Sequence, residues 1–215
     1  MARTYRGDNI EIGFDLGRCV HSRNCFLSLP QVFDPDRRPW VDADAAPAEE
    51  IAAMIRTCPS GALTFTRTDG GAAERAPGRN RAQVLENGPL ALAGNLLVDG
   101  RPATRATLCR CGQSANKPFC DYAHVAAGFT ATGEPQTDKP DNPAPSPDGP
   151  LEARPVENGP LALSGAVELI SGTGHRIVQG ERMFLCRCGQ SKSKPFCDGS
   201  HKDAGFEAPG PSAPT

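Results

Sequence analysis

The chain has 215 residues, of which 38% are hydrophobic and 6% aromatic, too few large apolar side chains for one big core and better suited to several small ones. A net charge of −2 lacks the basic excess of a general nucleic-acid binder, and no apolar run approaches the ~18 residues that suggest a membrane span. Gly (23) and Pro (21) make up about a fifth of the residues and break the chain into short units. The start, MARTYRGDNIEIGF, has no signal-peptide hydrophobic stretch. A cytoplasmic protein with neither membrane nor nucleic-acid partners is therefore expected. In that compartment nine cysteines point to metal or redox chemistry rather than to a disulfide framework. They fall in three groups of three, with none left over.

In chain order, the first unit is expected over residues 3–66. IEIGFDL reads as a strand, a short helix follows Cys25, PWVD reads as a strand, AEEIAAMIRT as a helix, and ALTFT as a closing strand. Cys19 and Cys25 form C-x5-C, and Cys58 precedes a proline. Bacterial ferredoxins use C-x2-C-x2-C and a remote C-P; here Ser22 occupies the middle position. This order of elements, with CPSGAL at the second site, resembles the divergent single-cluster ferredoxins that have three cysteines. The resemblance implies a cluster on Cys19, Cys25 and Cys58. Three thiolates suit [3Fe-4S]; a [4Fe-4S] cluster needs a fourth ligand, for which His21 is the nearest candidate and Ser22 the next. His21 reads equally well as a solvent-facing loop residue, and buried inert thiols are the bland reading of the three cysteines.

Residues 67–83 are polar and Gly-rich and read as a linker, and the proline-rich stretch 133–155 as an extended, semi-rigid spacer. The tail EAPGPSAPT reads as disordered. Between these segments the chain repeats itself. ENGPLALAG at 86–94 returns as ENGPLALSG at 157–165, and CRCGQSANKPFCDYAH at 109–124 as CRCGQSKSKPFCDGSH at 186–201. The second copy carries six extra residues near SGTGHR, where His175 reads as exposed. This is an internal duplication, with units expected over 84–132 and 156–208.

Each copy reads as a turn at Asn-Gly-Pro, a strand through PLALAG or PLALSG, and a second apolar segment that delivers C-x-C. In an extended C-x-C both thiolates fall on one side, with Arg110 or Arg187 pointing away. Gly112 and Gly189 permit the sharp turn that follows. Asp121 or Asp198 is a helix N-cap type, and cysteine and histidine four residues apart share a helical face. Cys109, Cys111, Cys120 and His124 therefore converge by local geometry, as do Cys186, Cys188, Cys197 and His201. Cys3His is an ordinary zinc set, but zinc modules usually present C-x2–4-C rather than C-x-C.

The pattern C-x-C-x2-S-x3-P-x-C-D-G-S-H resembles the CDGSH iron–sulfur (NEET) family. Ser114, Asp121, Ser191 and Asp198 match its non-ligand positions. The resemblance implies a [2Fe-2S] cluster in each copy, with Cys109 and Cys111 on one iron and Cys120 and His124 on the other, then Cys186 and Cys188 with Cys197 and His201 likewise. It also implies an α+β chain: a small ferredoxin-like domain followed by two β-rich units folded as an intrachain pseudo-dimer, hence a monomer. The first copy departs from the pattern, with Tyr122 and Ala123 where Gly and Ser are usual. All four ligands remain, and a bulky Tyr122 beside His124 is expected to make the two clusters inequivalent.

The sequence offers no phosphate loop, Ser–His–Asp set or paired carboxylates, so no enzymatic site is expected. An imidazole in place of one thiolate should raise the potential above the roughly −400 mV of all-cysteine plant-type centres, and acid should loosen the cluster because protonated imidazole cannot ligate. Arg110 and Arg187, flanked by Lys117 and Lys194, read as charge compensation for the clusters, as a docking face, or as ordinary solvated charge. The leading reading is an electron-transfer protein working with a reductase or acceptor. A carrier delivering clusters to apo iron–sulfur proteins, or a redox or pH sensor, is the alternative, and a zinc-stapled scaffold the third.

Overall fold

A computed structural model describes residues 2–137 and 149–212 and divides into two units, 1–75 and 76–215. In the first, β1 (Ala2–Arg6), β2 (Ile10–Asp15) and β3 (Leu63–Arg67) form an antiparallel sheet with β2 in the middle. Alternation along β2 puts Ile10 and Ile12 into the core. Helix α1 (Asn24–Ser28) carries Cys25, and α2 (Ala48–Arg56) turns Ile51, Ala52, Met54 and Ile55 into the same core. Glu49 and Glu50 in its first turn and Arg56 in its last complement the helix dipole. PWVD is not a strand: Val41 makes only an isolated bridge to Phe33. Trp40 packs edge-on against Phe14 and tilted against Phe33, and its neighbour Val41 is buried as well, so the segment does not alternate as a strand would.

The second unit is built on two long hairpins: β5 (Leu90–Val98) with β6 (Arg101–Leu108), and β8 (Leu161–Ile170) with β9 (Arg176–Leu185). Two short strands join them. β4 (Arg81–Val84) runs antiparallel to β5 and parallel to β8, and β7 (Leu151–Pro155) runs antiparallel to β8 and parallel to β5. Ala82 faces Leu169 and Ala153 faces Val98, one pairing displaced by 71 residues. The buried faces of all six strands meet in one core. At the β5 bulge a side chain on Gly94 would run into Asn80. The Asn80 amide ties the bulge together, accepting from the Asn95 N–H and donating to the Ala166 carbonyl.

Three segments differ from expectation, two read as connectors and one as a disordered tail. Residues 81–83 belong to β4 and 151–155 to β7, because each is held between the strand that follows it and a distant parallel partner in the other hairpin; Leu151 and Ala153 are fully buried. The tail is bonded as far as it is described. The Ala208 N–H donates to Asn158 Oδ1, its carbonyl accepts from the Asn158 N–H, and Ser212 bonds Asp99. The proline-rich spacer at 138–148 and residues 213–215 lie outside the described residues.

Candidate metal centres

Each duplicated site is assembled at the end of a long hairpin. Cys109 and Cys111 follow β6, and the next loop folds back so that the Cys109 N–H donates to the Pro118 carbonyl and the Cys120 N–H to the Thr107 carbonyl. Cys186 and Cys197 repeat these bonds with Pro195 and Phe184. Ser114 and Ser191 fix the loops from inside, their buried hydroxyls donating to the carbonyls of Phe119 and Phe196 at 2.7 Å.

The result is the same donor geometry twice. Cys109 Sγ lies 3.7 Å from Cys111 Sγ, and Cys120 Sγ lies 3.4 Å from His124 Nδ1. In the second copy Cys186 and Cys188 are again 3.7 Å apart, and Cys197 and His201 again 3.4 Å. A tetrahedral ion with metal–sulfur bonds of about 2.3 Å separates two thiolates by about 3.8 Å, so each pair fits one metal position. N–H groups of Gln113, Tyr122 and Gln190 point at Cys111, Cys120 and Cys188 Sγ, favouring anionic sulfur.

Asp121 accepts from the N–H groups of Ala115 and Ala123; burial works to raise its pKa, and these bonds outweigh it and hold it low. Asp198 is held low by the Ser200 hydroxyl, then by the N–H groups of Ser200 and Lys192. A helix follows only in the first copy, α3 (Ala123–Ala126), whereas His201 sits in a run of turns. Alanines favour the helix there, and Gly199, Ser200 and Asp203 do not.

Burial makes the Cys120 and Cys188 thiols costly to ionise, whereas Cys109 ionises more readily. Burial pushes Cys120 up to about 11 and also raises Cys188. The hydrogen bond between Cys109 and Cys111 lowers the former to about 6 and raises the latter. Burial lowers His124, favouring the neutral imidazole that ligation needs.

Arg110 and Arg187 are neither solvated nor a docking face: both are 1% exposed. Arg110 donates to the carbonyls of Gly88, Thr132, Leu85 and Ala131, with Phe129 over its guanidinium. Arg187 donates to those of Gly159, Pro209 and Val156 under Phe206. Burial lowers both, Arg110 to about 10. Each arginine thus clamps the Asn-Gly-Pro turn to the segment beyond the motif histidine, whose carbonyl accepts from the Phe129 or Phe206 N–H. The sequence signal for this clamp was present, since Phe129 and Phe206 follow each histidine at the same distance. Lys117 and Lys194 fold onto their own loops, bonding the Ser114 and Ser191 carbonyls.

In the first unit Cys19, Cys25 and Cys58 line one cavity of about 950 Å3 with Tyr5, Phe14 and Trp40. Cys19 ends a 3-10 turn, Cys25 lies in α1, and Cys58 follows α2, so three separate elements bring them together. Burial raises the Cys19 and Cys25 thiols, partly countered by N–H groups of His21 and Phe26. His21 and Ser22 are exposed on the wall of the same cavity.

A family model described as "Iron-binding zinc finger CDGSH type" matches residues 87–125 and 158–202. A second, "Divergent 4Fe-4S mono-cluster", matches residues 5–68. The uncharacterized protein YjdI of Escherichia coli K12 is 36% identical over 63 residues, covering 29% of this chain and 83% of that protein; YjdI of strain O157:H7 matches to the same extent. No solved structure matches. Among the described residues no helix is long and apolar enough to cross a membrane. The chain thus carries two tandem CDGSH-type iron-binding segments behind a divergent 4Fe-4S mono-cluster segment.

Proposed function

We propose that this iron–sulfur protein is an electron carrier rather than an enzyme, with a [2Fe-2S] cluster in each CDGSH segment. The first unit would hold a [4Fe-4S] cluster, or a [3Fe-4S] cluster if no fourth ligand joins Cys19, Cys25 and Cys58. The observation that carries this reading is the pairing of donors, two sulfurs 3.7 Å apart and a sulfur 3.4 Å from an imidazole nitrogen, twice over. Two pairs supply two metal positions per segment. A structural zinc instead needs four donors around one ion. The matched description of the first unit favours four irons there.

When bound, such clusters take up and release single electrons. The chain's own part is to keep the site dry and the donors fixed, through Ser114 and Ser191 inside the loops and Asp121 and Asp198 across them. The exchanged pairing of β4 and β7 supports an intrachain pseudo-dimer, and so a monomer. A soluble cytoplasmic carrier would exchange electrons with a reductase and an acceptor protein.

Iron, acid-labile sulfide and zinc per chain, measured on anaerobically purified protein, test the proposal. The expected result is about eight irons with matching sulfide and reversible reduction by a flavin reductase. Zinc without sulfide overturns it. One observation favours a second reading at the second site: Cys197 and His201 are only half-buried, as a cluster meant for delivery would require. Incubation with an apo-ferredoxin separates the two, since a carrier transfers its cluster under mild oxidation and a relay keeps it.

A further inference from the structure

Arg110 and Arg187 are the largest fully buried side chains among the described residues. A buried cation ordinarily faces an anion, yet the donors of both go to carbonyl oxygens. Carbonyls satisfy the N–H groups without cancelling the charge, and the carboxylate that acts on Arg110, that of Glu86, is exposed. The arrangement of the two C-x-C-G turns shows where that charge acts. They lie against each other across the core: a Cβ on Gly112 would sit 2.5 Å from the Cys188 carbonyl oxygen, and one on Gly189 would strike that of Cys111. Burial lowers Arg187, and a Cys109 thiolate across this junction works against that lowering. Burial likewise lowers Arg110, and the charges that oppose it are Cys186, then Glu86, then its own neighbour Cys111.

We propose that Arg110 and Arg187 are crossed counter-charges, each raising the reduction potential of the cluster held by the opposite CDGSH segment. The inference rests on the reading that each segment holds a [2Fe-2S] cluster. Reduction adds one negative charge and makes no bond to the arginine, so a fixed guanidinium in a low-dielectric interior favours the reduced form. Each segment thereby depends on a residue of the other, which gives the duplication a use beyond stability.

The test is an EPR-monitored titration of the full holo-chain with dithionite, each signal assigned by its loss in Cys111→Ala or Cys188→Ala. Arg187→Gln is expected to lower the reduction equilibrium constant of the first segment's cluster about tenfold, about 59 mV for one electron, and that of the second by less. Arg187→Lys restores both, and Arg110→Gln gives the mirror result. A larger shift in the arginine's own segment, equal shifts, or the upward shift of a site opened to water overturns the proposal. Should the Gln variants lose their clusters, exposed Glu86 offers a second route. Glu86→Gln frees the Arg110 charge and is expected to raise the second segment's constant alone; no selective rise overturns the proposal. Iron and sulfide assays on the same samples keep the failures apart. A chain without sulfide overturns the cluster reading as well, and a loaded chain without crossed shifts overturns only the crossing.

Discussion

In the first CDGSH segment Cys120 and His124 are 2% and 8% exposed, whereas Cys197 and His201, one repeat later, are half-buried. The donor distances are identical in the two segments, so spacing and sealing have different causes. Spacing comes from backbone bonds common to both copies. Sealing follows the residue two positions before the histidine: the Tyr122 ring meets the His124 ring edge-on at 5.2 Å, and Gly199 has nothing to offer there. Tyr122 takes φ 73° where Gly199 takes 92°. A side chain in that left-handed region costs about 1–2 kcal/mol, and strain of this kind tends to persist where function requires it.

The comparison holds only if the two sites are separable, and the largest expected effect tests that. Cys188→Ala should remove about two of eight irons and leave the first segment's EPR signal intact, and Cys111→Ala should do the reverse. Emptying both segments with either change would break the comparison outright. Next in size is the seal. Tyr122→Gly should speed chelator-driven loss of the first cluster several-fold, to the rate of the second, with the second unchanged, as followed by visible absorbance. An unchanged rate would show that burial of the first site does not depend on Tyr122.

What was legible in the sequence follows the same division. C-x-C and C-D-x-x-H place their donors through bonds within a few residues, so the two donor pairs of each segment could be read directly from the repeat. β7 could not be read, because LEARP in a proline-rich stretch becomes a strand only when β5 and β8 flank it. PWVD failed in the opposite direction, read as a strand although Trp40 and Val41 both pack inward. The burial of Arg110 and Arg187, against two of the three readings open for them, was not legible because charged residues are rarely buried. The carbonyls that satisfy them come from turns and tails tens of residues away, which spacing within the motif does not reveal.

Tyr122→Gly should also separate stability from cluster retention. Relief of the left-handed tyrosine, about 1–2 kcal/mol, exceeds the about 0.4–1 kcal/mol of added unfolded-chain entropy. The metal-free chain should therefore gain about 0.5 kcal/mol in urea unfolding, while the loaded chain loses its first cluster faster. If the metal-free chain is less stable instead, the Tyr122–His124 contact outweighs the strain and the tyrosine belongs to the folding of the loop.

The smallest effect is expected at Ser200, which stands where the first segment has Ala123. Its hydroxyl donates to Asp198 Oδ1 at 2.7 Å, beside the Ser200 N–H at 3.0 Å, and the Lys192 N–H holds the other oxygen at 2.7 Å. Ser200→Ala removes one of three donors from an exposed carboxylate that water can serve, and alanine favours the helical turn seen as α3. The two effects oppose each other, so stability should stay within about 0.5 kcal/mol and the second cluster's loss rate should not change. A marked acceleration would place the difference between the segments in how Asp198 braces its loop, and no longer in the tyrosine that covers His124.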